Sequence, residues 1–267
     1  MKNEKLATAA SAGLSLYAFY KIIQTLTIAF DRSYSPFTPF GQRLFSFLSN
    51  SIYYWVLLAL GLCGLVLVYA DLNKNKDMDF QNRINKIKKI IFTTYTIFSI
   101  IMIFRFVYWT YLSFQSYYSA IAAGNDMQGF SVRFFINLVI IGVFGAFSIL
   151  SRTLFGIYLL TKKERLLKPF LIMYIAGFAY TLISETYVFI NAIIFNINLF
   201  ADASKIANLG NPENRINSII FNFAGDIIVL VTGLIIILYG IKKDKLPTSD
   251  ENVIIAEPQT AYEEIHE

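Results

Sequence analysis

The stretch SIYYWVLLALGLCGLVLVYA, residues 51–70, runs for 20 residues without a charged side chain. Its apolar residues are continuous. A lipid-facing barrel strand would instead alternate apolar and polar positions over about ten residues. As a helix rising about 1.5 Å per residue, the stretch is about 30 Å long, which matches the hydrocarbon core of a bilayer. Only helices and closed barrels satisfy their backbone polar groups inside lipid, so the stretch predicts a transmembrane helix.

Reading outward gives six such stretches, approximately Leu6–Phe30, Ser51–Ala70, Ile90–Leu112, Phe134–Leu160, Phe170–Phe200 and Ile219–Ile241. The fold class is therefore all-α: a polytopic integral membrane protein with six transmembrane helices. Composition agrees, with 56% hydrophobic residues and 15% charged residues in 267, where a soluble domain carries about a quarter charged. Residues 1–245 form the predicted membrane domain. From Leu246 to Glu267 there are six acidic residues and no Lys or Arg, so 246–267 reads as an acidic, disordered tail and the net charge of +5 becomes +11 for the remainder.

That basic excess is unevenly placed. The connection after the second span holds Lys74, Lys76, Arg83, Lys86, Lys88 and Lys89, and the one after the fourth holds Lys162, Lys163, Arg165 and Lys168. The alternate connections are poorer in Lys and Arg. Positive loops stay in the cytoplasm, so both termini are expected there, in the cell membrane. Tyr53, Tyr54, Trp55, Tyr108, Trp109, Tyr111, Tyr117 and Tyr118 fall near the opposite boundary and read as an interfacial aromatic belt. Arg152, close to the basic side of the fourth span, is expected to snorkel toward that side.

Four charges interrupt the apolar stretches. Lys21 is 16 residues past Lys5, Arg105 is 16 past Lys89, Glu185 is 17 past Lys168, and Asp226 is 16 before Lys242. At the rise of a helix all four lie about 24 Å from the basic face, in one layer. An unpaired charge inside a bilayer costs about 2.5–3.5 kcal/mol or more, so two positive and two negative charges at one depth are expected to compensate one another. Arg105 with Glu185 is the favoured pair, because a guanidinium holds a carboxylate through two parallel hydrogen bonds. Gln24, Asn137, Asn191 and Asn222 lie at similar depth as supporting polar groups, and Gly225 beside Asp226 suggests local unwinding of the sixth span. Small residues at Gly61, Gly64, Gly142, Gly145 and Gly177 mark close helix approach.

Chemistry of other kinds finds little material. The single histidine, His266, is in the tail and the single cysteine is Cys63, which leaves no metal site, no His-dependent dyad and no disulfide. No cofactor motif occurs, and lysines beside apolar spans are a topological signal rather than a nucleic-acid footprint. The sequence reads as non-enzymatic. Its expected partners are the lipid bilayer, a membrane-protein partner or second copy, and an ion or small polar solute. Because positive and negative charges are equal in number, the favoured reading is a structural or assembly subunit of a membrane complex, whose layer closes into ion pairs and specifies helix packing. If the layer opens to water, it is a small transporter or channel-like protein moving an ion, proton or polar solute.

Overall fold

A computed structural model of the chain describes residues 2–31, 37–122, 128–201 and 212–244. The acidic tail 246–267 lies outside the described residues, as does the side chain of Asn137. Six long helices account for nearly all of the described chain: α1 (Lys2–Phe30), α2 (Phe40–Leu72), α3 (Met78–Ala122), α4 (Gln128–Thr161), α5 (Leu167–Ala201) and α6 (Pro212–Asp244). All six are long and apolar enough to cross a membrane, the arrangement of a multi-pass helical membrane protein.

Several helices outrun the apolar stretches that predict them. α2 begins at Phe40, directly after Pro39, because nothing between Gly41 and Asn50 breaks a helix and a proline suits the position just outside the first turn. α3 has 45 residues and is therefore about 68 Å long, more than twice a hydrocarbon core. Its first turns carry Arg83, Lys86, Lys88 and Lys89 of the 71–89 connection as ordered helix. Between α4 and α5 the chain turns at Lys162, whose φ of 54° is left-handed, followed by a short 3-10 turn over Glu164–Leu166. That backbone reversal, one residue past Thr161, ends α4 there.

The helices pack in a simple order. α2, α3, α4, α5 and α6 form a closed ring in which each touches the next and α6 returns to α2, while α1 packs only against α2 and α6 in the groove between them. α2 is the hub, with 56% of its most apolar window buried against 17–33% in the others. Glycines set the tightest approaches. Gly61 and Gly64 let α1 lie against α2 at Ser15 and Ser11, and Gly177 lets the α4 backbone at Ser148 come close to α5. Gly142, expected to serve the same role, faces open space.

Burial divides the ring along its length. At the basic end Leu67, Phe92, Tyr95, Phe155, Leu159, Phe170, Ile237 and Ile241 are all buried in one cluster drawn from every ring helix. Phe155 is its centre, edge-on to Tyr95 at 6.1 Å and stacked on Phe170 at 5.2 Å. Tyr239 Oη also donates to Asp71 Oδ2 across 3.0 Å there, joining α6 to α2. Toward the far end the packing thins. Among the described residues, α3 beyond Ser99, α4 before Ser151, α5 between Gly177 and Asn196, and α6 before Val229 contain no buried residue. The bundle is sealed at one end and loosely packed at the other.

Candidate functional site

The four charges of the sequence-derived layer all end up half-buried, none fully enclosed. Lys21 donates to Gln24 Oε1 at 3.2 Å, one turn along α1, and its Nζ stands 5.9 Å from the Tyr17 ring centroid. Tyr17 faces α6 at Gly225, where an added Cβ would lie 3.5 Å from the phenol oxygen. Asp226 follows on α6, within electrostatic range of Lys21, and Glu185 on α5 is within range of Asp226. Asp226 on α6 therefore stands between Lys21 of α1 and Glu185 of α5, the two helices that flank α6.

Arg105 is placed differently. Its electrostatic neighbour is Tyr54 on α2, and Tyr54 also senses Asp226 on α6. The expected Arg105–Glu185 pair is not formed, since Glu185 has the second carboxylate and not the guanidinium as its charged neighbour. No ion pair joins any two of the four. The reason is geometric: α3 and α5 are separated in the ring by α4, so residues at equal depth on them face across the interior instead of touching. Of the supporting polar residues, Gln24 binds Lys21, whereas Asn191 and Asn222 are exposed. Gly225 does not unwind its helix, for α6 is continuous through Asp226.

A fifth charge changes the picture. Arg152 on α4 does not snorkel to the basic end. Its guanidinium carbon sits 5.1 Å from the ring centroid of Tyr53 on α2, a cation–π contact within the bundle. Tyr95 of α3 and Tyr174 of α5 are its other electrostatic neighbours. Gly233 of α6 faces the Tyr174 hydroxyl, 3.6 Å from where a Cβ would be. All five ring helices thus contribute to one place. Among the described residues no carboxylate faces Arg152. The fully buried Tyr95 hydroxyl and its neighbour Ser99 Oγ, one turn along α3, have no hydrogen-bond partner beyond each other.

Tyr53 and Tyr54 accordingly leave the expected aromatic belt and turn inward. They lie edge-to-face at 5.5 Å and link the two levels, Tyr54 to Arg105 and Asp226, Tyr53 to Arg152. Tyr108, Trp109, Tyr111 and Tyr118 do remain exposed on α3. Sequence reasoning set Arg152 aside because it is near a helix end. The overlooked signal is its distance: Arg152 is 10 residues before Lys162, about 15 Å from that face, too deep for solvation there to be assured. Counting it, the interior holds three cations (Lys21, Arg105, Arg152) and two carboxylates (Glu185, Asp226), an excess of one positive charge. Comparison with known protein families, curated proteins and solved structures found nothing that matches this chain.

Proposed function

We propose that the chain is a non-enzymatic multi-pass protein of the cell membrane, with both termini cytoplasmic, that acts as a small transport or channel-like protein for a polar solute. The observation that carries this reading is the unpaired state of the charged layer. Closed ion pairs would fix helix packing and leave no capacity for a ligand, whereas half-buried charges arranged around inward-facing tyrosines keep theirs. The distribution of packing supports the same view, because the buried residues of the ring helices α3 to α6 concentrate at the basic end and leave the level of the charged layer less tightly packed. Orientation rests on the lysine-rich connections.

The assembly-subunit reading keeps one specific support. Tyr20 and Gln24 are exposed on α1 beside half-buried Lys21, a polar strip at hydrocarbon depth that would suit a neighbouring helix. Asp226→Asn separates the two. As a transport residue, its loss should leave folded yield in detergent near that of the parent while reducing solute flux into liposomes by about tenfold or more. If Asp226 is instead the anchor of a packing contact, the same change strands Lys21 and lowers the melting temperature, with a cost of up to about 3 kcal/mol for this half-buried site. Unchanged flux in a folded Asp226→Asn protein would count against the transport reading.

A further inference from the structure

A half-buried guanidinium with no carboxylate beside it is the least explained group in the bundle. Arg carries five N–H donors in a planar fork, and Tyr53, through its ring at 5.1 Å and its hydroxyl, occupies only part of it. The hydroxyls around it are also under-used. Tyr95 Oη and Ser99 Oγ are buried with no hydrogen-bond partner beyond each other, and the Tyr174 hydroxyl lies against Gly233. What these groups share is the capacity to donate to one acceptor. Glycine at 233 widens the space beside Tyr174 by one side chain, at the level where α2 to α6 close around it.

We propose that Arg152, with the hydroxyls of Tyr53, Tyr95, Ser99 and Tyr174, forms a binding site for a small oxyanion, a carboxylate or phosphate group. The guanidinium fork matches two oxygens of such a group, and the hydroxyls supply the remaining donors. Glu185 and Asp226 stand at the charged layer with Lys21 and Arg105, so the oxyanion meets carboxylates only where cations accompany them. The same chemistry could come from a free solute or from a lipid headgroup. Each helix of the α2–α6 ring contacts the next, so a lipid acyl chain would have to pass between packed helices, which favours the free solute. As the identity of a transported solute this rests on the transport reading. As a binding site it stands alone.

The test is equilibrium binding to the purified full-length protein in detergent, by calorimetry, with acetate and inorganic phosphate as probes and chloride at equal ionic strength as control. Saturable binding of acetate or phosphate is expected, weakened about 10–100-fold in Arg152→Gln. Tyr95→Phe guards against a folding artefact. It removes one hydroxyl and keeps the buried ring, so its ligand-free melting temperature should stay close to that of the parent while oxyanion affinity falls several-fold. Absence of saturable binding to the parent protein, or equal affinity in Arg152→Gln and Tyr95→Phe, overturns the site. A co-purifying phospholipid retained through Arg152, with no binding of acetate or phosphate, overturns the free-solute assignment. Binding without flux in liposomes leaves the site intact and removes the transport reading alone.

Discussion

Phe155→Ala is expected to lower stability by about 3–5 kcal/mol, the range for deleting a fully buried aromatic ring. Phe155 is 0% exposed and lies between Tyr95 of α3 and Phe170 of α5, with Gly240 of α6 also at van der Waals distance. Lipid tails are as apolar as leucine, so the ring stabilises the bundle through packing contacts more than through removal from water. Its loss opens a cavity touching three neighbouring helices at the sealed end. Thermal unfolding in detergent, followed by circular dichroism, checks this; a change under about 1 kcal/mol would mean that the cluster does not hold the ring together.

Gly156→Val should be as damaging for the opposite reason. A Cβ at Gly156 would meet Thr96 on α3, with the Thr96 Cα only 3.2 Å away, and backbone cannot move aside as a flexible side-chain end can. Thr96 is itself pinned, its Oγ1 donating to Phe92 O at 2.8 Å. Overpacking typically costs about 1–3 kcal/mol, and here the branch atoms of valine add to the clash, so the folded fraction on gel filtration should fall steeply. Gly142→Val, at a glycine facing open space, should behave as the parent. If both variants fold equally well, α3 and α4 are not in close contact at Gly156.

These two variants also show what the sequence conveyed. Continuous apolar runs predict six crossing helices because lipid forces every backbone group into internal hydrogen bonds, and the described helices agree. Gly61, Gly64, Gly145 and Gly177 signal close approach, and each would crowd a neighbouring helix if substituted. Facing direction was not legible. In water an apolar stripe marks the buried side, but in a bilayer the lipid-facing side is equally apolar, so periodicity does not say that Tyr53 and Tyr54 turn inward or that Phe104 turns out.

The site was legible in part for the same reason. Depth can be counted from a flanking lysine, which finds Lys21, Arg105, Glu185 and Asp226. Pairing cannot be, because it depends on which helices are neighbours; α4 between α3 and α5 is what separates Arg105 from Glu185. Arg152 escaped for a further reason. A long side chain near a helix end can reach either way, and only the position of Tyr53 decides that it reaches inward.

Accessibility of the interior to water is tested most directly by cysteine labelling. Tyr54, half-buried between Arg105 and Asp226, is replaced by cysteine in a Cys63→Ala background, with Lys74→Cys as the companion on the basic connection. A small, charged, membrane-impermeant thiol reagent is then added outside intact cells. Labelling of Tyr54→Cys together with protection of Lys74→Cys until the cells are opened is the expected result, placing a water-filled polar interior on the outer side of the aromatic seal. No labelling of Tyr54→Cys from either side would contradict it, and would mean that the charged layer is closed to water and to any solute.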